Sequence, residues 1–191
     1  KGSNPNAPRK GDIIKVEPIR DPKAIRRIKQ ILSDNLVHHA LFVVGINSAF
    51  RASELVDMKL RDIHDGRITV REQKTGKVRT VTMNPSTQEA IFQLVAAKNL
   101  GFDDFLFGGL RGRHTVNYVN ALVKRWCREV GLSGNYGSHT LRKTWGYHQR
   151  TTFKVDLPLL MRAFGHSSQR QTLTYLCIEE REVQDIYLNS L

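Results

Sequence analysis

Apolar residues recur along this chain with two periods, and the switch between them sets one extended stretch among helical ones. After Asp21-Pro22, a capping residue followed by a proline suited to a first turn, Ile25, Ile28, Ile31 and Leu32 return every three or four positions. Arg26, Arg27 and Lys29 take the opposite face, so a first helix is predicted there. A second is predicted over 34–47, through the cluster Leu41-Phe42-Val43-Val44, and a short third over 51–58. The period then falls to two. Arg67-Ile68-Thr69-Val70-Arg71-Glu72-Gln73 and Val78-Arg79-Thr80-Val81-Thr82-Met83 alternate as strands, joined by Lys74-Thr75-Gly76-Lys77 as a hairpin.

Asn84-Pro85 opens another helix reaching 98, and 101–112 reads as a loop interrupted by Phe105-Leu106-Phe107. Helices are predicted over 115–130, 139–151, 157–164, 168–176 and 179–188. Residues 1–20, with Pro5, Pro8 and Pro18, read as an extended, flexible lead-in. The expected fold class is mainly α with one small antiparallel β-sheet, in a single domain from 21 to 191.

Charge narrows the picture. Lys and Arg number 30 against 18 Asp and Glu, a formal net charge of +12. Such a surplus suits a polyanion, because neutralising phosphates releases their condensed counterions. A basic protein that is merely soluble fits the same figure, so charge points to nucleic acid without establishing it. Cys127 and Cys177 are too few for a disulfide framework and lack zinc spacing, as expected for reduced thiols in the cytoplasm. No apolar run is long enough to span a membrane. The chain has no phosphate-binding Gly-x-x-x-x-Gly-Lys loop, no His-Glu-x-x-His pair and no carboxylate cluster, so no nucleotide, metal or other cofactor is expected.

Chemistry concentrates in a few segments. Cleaving a phosphodiester without metal needs a nucleophile, cations to hold the charged transition state, and an acid for the leaving oxygen. Tyr175 can be the nucleophile, since a phosphotyrosyl ester keeps the bond energy for rejoining. Arg51 and Arg142 can clamp the non-bridging oxygens with planar, permanently charged forks. His166 can donate to the same phosphate, and His139 can move a proton near the nucleophile. Lys74, at the hairpin tip, is a candidate general acid. Each residue has a duller reading, a solvated arginine, a turn lysine or a core tyrosine, and only the joint pattern carries weight. Arg111-Gly112-Arg113-His114 either meets a DNA backbone or is a solvated loop.

Five ordered motifs carry a resemblance: Arg51-Ala52-Ser53-Glu54-Leu55, Gln73-Lys74-Thr75-Gly76, His139-Thr140-Leu141-Arg142-Lys143-Thr144, Gly165-His166-Ser167-Ser168 and Thr172-Leu173-Thr174-Tyr175. In order and spacing the sequence resembles the tyrosine recombinases, also called the phage integrase family. The resemblance implies catalytic places for Arg51, Lys74, His139, Arg142, His166 and Tyr175, with Glu54 helping to orient the site. Lys77, Arg111, Arg113 and Lys143 are the expected DNA contacts. The implied activity is cleavage of double-stranded DNA to a 3′-phosphotyrosyl bond and a free 5′-hydroxyl, then rejoining, by protomers that assemble as a tetramer on DNA. Two positions depart from the family pattern, Ala49 where glycine is frequent and Phe164 where leucine is usual. Residues 1–20 would be a linker from an amino-terminal DNA-clamp domain for which this chain has no room. A type IB topoisomerase and a DNA-binding protein without turnover are the alternative readings. In 179–191, Val183, Ile186 and Tyr187 form a stripe that packs on its own domain or docks on a neighbouring protomer.

Overall fold

Asp21 caps the first helix, accepting a hydrogen bond from the Lys23 amide at 2.8 Å, and Pro22 takes its first turn. The computed structural model describes residues 16–71, 76, 78–110, 112–178, 184–188 and 190. Among these, α1 (Pro22–Ile31), α2 (Leu36–Asn47) and α3 (Ala52–Asp57) lead into a sheet of β1 (Ile63–His64), β2 (Arg67–Arg71) and β3 (Val78–Thr82). Then come α4 (Pro85–Lys98), α5 (Val116–Glu129), α6 (Thr140–Thr151), α7 (Leu157–Phe164) and α8 (Gln169–Leu176). The mainly helical fold with a small antiparallel sheet agrees with the periodicity.

The core is built around α2. Its run Leu41, Phe42, Val43 and Val44 is at most 1 % exposed, so the helix is buried on all sides and packs on α4 and α6. Trp126 of α5 meets Phe42 edge-on with ring centroids 5.8 Å apart. Gly45 lets α6 come close, since a Cβ there would lie 2.6 Å from Leu141 Cδ1. A second apolar cluster of Ala49, Leu160, Phe164 and Leu176, with Trp145 and Tyr175 against it, joins α7 and α8 to the turn after α2.

The sheet has the order β1-β2-β3, with Ile68 opposite Val81 and Val70 opposite Arg79. Ile68 and Val70 are buried while Arg67, Thr69 and Arg71 face out, the alternation of a strand with one wet side. Strand β1 is absent from the periodicity because it is only two residues long. Its signal lies in the turn: Asp65 and Gly66 both have positive φ (47° and 70°), a two-residue loop that Asp-Gly favours.

Two expectations change. Residues 16–20, expected to be a flexible lead-in, form a strap pinned across α6. Ile19 is fully buried, its amide donates to Thr144 Oγ1 at 2.9 Å, and its carbonyl lies 2.9 Å from His148 Nε2. The Glu17 amide donates to the Asn135 carbonyl at 2.8 Å. Residues 185–188 form one 3-10 turn, with Tyr187 exposed, instead of the end of an α-helix. Val183 of the expected stripe lies outside the described residues.

Candidate active site

The first arginine is set by the turn after α2. Ser48 Oγ donates back to the Val44 carbonyl at 2.7 Å, and Ala49 and Phe50 are buried, which delivers Arg51 to the N-cap of α3. One turn on, Glu54 folds back, and its Oε2 accepts the Arg51 amide at 2.5 Å. Its Oε1 accepts from Arg51 Nη1 at 3.3 Å. Glu54 is 5 % exposed, whereas the Arg51 side chain is 40 % exposed and keeps a face open to a ligand.

The second arginine comes from α6, whose start is fixed by the Gly137 amide donating to Thr140 Oγ1 and the Ser138 amide to Asn120 Oδ1. Arg142 is buried. Its Nη1 donates to the Ala49 carbonyl, its Nη2 to the Phe164 carbonyl at 2.8 Å, and its Cζ lies 5.0 Å from the Phe164 ring centroid. Burial pulls its pKa down to about 10, still leaving it charged at neutral pH. His139 stands at the exposed N-cap of the same helix. Partial desolvation, then Arg142, Lys143 and Arg51, lower its pKa.

Helix α7 stops at Gly165, whose φ of +69° suits glycine, and α8 restarts at Ser168, which caps the Gln171 amide at 3.2 Å. Between them, the His166 ring stacks on Phe164 at 5.1 Å, and its Nδ1 lies 3.0 Å from Thr172 Oγ1. Burial, then Arg142 and Arg51, lower the pKa of His166. Tyr175, on α8, lies with its ring 5.1 Å from His166, 5.1 Å from Phe164 and 6.5 Å from His139. Its hydroxyl is buried and has no well-formed hydrogen bond among the described residues. Burial raises its pKa, while the charges of Arg142 and Arg51 act in the opposite direction.

The structure thus brings Arg51, Glu54, His139, Arg142, His166 and Tyr175 together from four separate segments. Lys74, Lys77 and Arg111 lie outside the described residues. Arg113 is exposed and forms an ion pair with Asp57. The expectation that Lys143 contacts DNA is corrected. It is 7 % exposed, with Nζ donating to Cys177 Sγ at 3.3 Å and lying 4.9 Å from the Tyr175 ring centroid. Cys177, expected to be an inert thiol, ends α8 in a left-handed conformation and accepts at its carbonyl from Arg20 Nη2 at 3.1 Å. Cys127 is buried, and burial pushes its thiol up to about 12.

One site residue escaped the sequence reading. Arg79 of β3 donates from Nη2 to Glu54 Oε2 at 3.0 Å and from Nη1 to the carbonyls of Ala49 and Ala163 at 3.3 and 3.2 Å. The signal was present: alternation places Arg79 on the same inward face as Val81, where a charge needs partners.

Residues 21–182 match the Phage integrase family. A protein of Bacillus subtilis (strain 168) described as probable integrase/recombinase YoeC is 33 % identical over 178 residues, which cover 90 % of this chain and 95 % of that protein. Tyrosine recombinase XerC of Caldanaerobacter subterraneus subsp. tengcongensis is 29 % identical over 77 % of this chain and 43 % of the relative. The crystal structure of XerA recombinase superposes with a TM-score of 0.76 at 19 % identity, over 95 % of this chain and 65 % of that one. A lambda integrase dimer bound to a COC′ core site gives 0.69 at 18 %, over 87 % of this chain and 49 % of that one. The chain spans nearly all of the Bacillus relative but about half of this XerC and of the lambda integrase chain. This chain belongs to the phage integrase family, and its fold is that of tyrosine recombinase catalytic domains.

Proposed function

We propose that residues 21–191 are the catalytic domain of a site-specific recombinase that cuts and rejoins double-stranded DNA through Tyr175. What supports this is the convergence of the Tyr175 ring with Arg142, His166 and His139, contributed by α6, the α7–α8 turn and α8. Arg51 and Arg142 hold the non-bridging oxygens of the scissile phosphate, and His166 donates to one of them. A phenol with a raised pKa keeps its proton at neutral pH, and His139, neutral because its pKa is lowered, accepts it. The Tyr175 oxygen bonds to phosphorus and the 5′ oxygen leaves, taking a proton from Lys74. The products are a 3′-phosphotyrosyl ester and a 5′-hydroxyl. Attack by a 5′-hydroxyl of a partner strand reverses the sequence and frees the phenol. Glu54 orients Arg51, and assembly of protomers on one DNA supplies the partner strand. Cytoplasmic localisation is part of the same proposal, since that is where the DNA substrate would be met.

Covalently trapped DNA recovered from cells and sequenced gives the target, from which a nicked suicide duplex is built. The wild-type chain should accumulate a covalent adduct on that duplex, and Tyr175→Phe none. An undiminished adduct with Tyr175→Phe would overturn the assignment of the nucleophile.

A further inference from the structure

Arg79 and Arg142 are placed alike. Both donate to the Ala49 carbonyl, two residues before Arg51, and each also reaches a carbonyl at the end of α7, Ala163 for Arg79 and Phe164 for Arg142. Two neighbouring guanidiniums therefore tie the turn that carries Arg51 to the turn that carries His166. Arg79 adds a third bond that Arg142 lacks, to Glu54, the carboxylate that also holds the Arg51 amide and guanidinium. Its Cζ lies 4.9 Å from the Phe50 ring centroid, which fixes the plane of the fork. The side chain is 20 % exposed and spends both terminal nitrogens on protein acceptors.

Arg51 and Arg79 thus share one buried carboxylate, and the buried Arg142 lies close enough to feel the charges of all three. Like charges held together without water repel, and an anionic oxygen entering between them relieves that repulsion. The covalent path adds a second consequence. Arg79 lies one residue beyond Val78, the first residue of β3, so it fastens the start of the strand that follows Lys74 in sequence.

We infer that Arg79 is a positioning residue of the cleavage reaction: without touching DNA, it holds Glu54 with Arg51, the His166 turn and the start of β3 in one register around the phosphate. The inference rests on the recombinase reading. A lysine could retain the charge but not three directed bonds to separate acceptors.

The test uses the full chain and the suicide duplex described above, in two versions, one with the natural scissile phosphodiester and one with an uncharged methylphosphonate at that position. Arg79→Gln should slow adduct formation on the phosphodiester by about 10–100-fold, the scale of a misplaced reacting group, with DNA affinity within about twofold of wild type. On the methylphosphonate, where no anionic oxygen needs the arginine cluster, the loss should shrink to less than about threefold. Combined with Glu54→Gln, the loss should fall well short of the product of the two single losses, because the two residues share one contact. Arg79→Lys, measured in the same way, should recover part of the rate and serves if the glutamine variant melts below the assay temperature. A merely structural arginine would lower both substrates equally and add to Glu54→Gln; either result overturns the inference, as does a wild-type rate in both variants. No adduct with the wild-type chain on any recovered DNA would instead overturn the recombinase reading.

Discussion

Glu54 links the first arginine of the site to the sheet, since its two oxygens serve the Arg51 backbone, the Arg51 side chain and Arg79. Removing the carboxylate leaves the largely buried Arg79 guanidinium and the Arg51 amide short of an acceptor, so Glu54→Leu should cost about 1.5–3 kcal/mol in denaturant unfolding. Glu54→Gln should cost less, because the amide oxygen still accepts one bond. The histidines act together at this scale. His38, His39, His114, His139 and His166 all have pKa values lowered in the fold, each first by desolvation. The unfolded chain therefore binds more protons than the folded one between the lowered values and the ordinary value near 6.5. Stability is full above that range and falls as pH drops through it, and melting temperatures from pH 7.5 to 5.5 should decline accordingly. A flat profile over that range would contradict the shifts. What the sequence made readable here was residue type and spacing: Arg51, His139, Arg142, His166 and Tyr175 could be picked because each suits one task in the reaction. Lys143 was not, because whether a helical lysine faces water or the interior depends on which neighbours the fold supplies, and for Arg79 the alternation gave the inward face but not the partners.

Helix α6 is the element that makes the site possible. Its N-terminus carries His139, its first turn Arg142 and Lys143, and its middle holds Gly146 against the other two site helices. A Cβ at Gly146 would lie 2.3 Å from Phe164 Cζ and 2.7 Å from Leu176 Cδ2, so α7 and α8 seat where they do because position 146 is bare. Gly146→Ala should destabilise by about 1–3 kcal/mol. It should also slow adduct formation, because Phe164 supplies the carbonyl that holds Arg142. An unchanged melting temperature would show that the cluster can yield. Eight helices and the pair β2–β3 were legible from the apolar pattern and the caps together, with ends within a few residues, because apolar runs and caps such as Asp21, Asn84 and Ser168 are written locally. Strand β1 was not, since two residues have no period.

For the whole molecule, the net charge of +12 makes the proposed DNA contact salt-dependent. Affinity for duplex DNA should fall at least about tenfold between 50 and 200 mM salt, the loss expected for as few as two neutralised phosphates. Insensitivity to salt would argue against a phosphate-dominated grip. The strap is the feature least visible in advance, because Pro5, Pro8 and Pro18 suggested looseness and only the fold reveals the groove that Ile19 fills. It ends beside the helix that carries Tyr175: Arg20 donates to the Cys177 carbonyl, and the Cys177 thiol donates to the Val16 carbonyl at 3.6 Å. Arg20→Ala should therefore speed amide hydrogen exchange in α8 more than in α2, and equal α8 protection in the variant and the wild type would separate the strap from that helix. Mechanically, residues 16–20 act as a tether whose load point is two positions beyond Tyr175, so a pull on the chain ahead of Val16 would be felt as tension on the Tyr175 phenol.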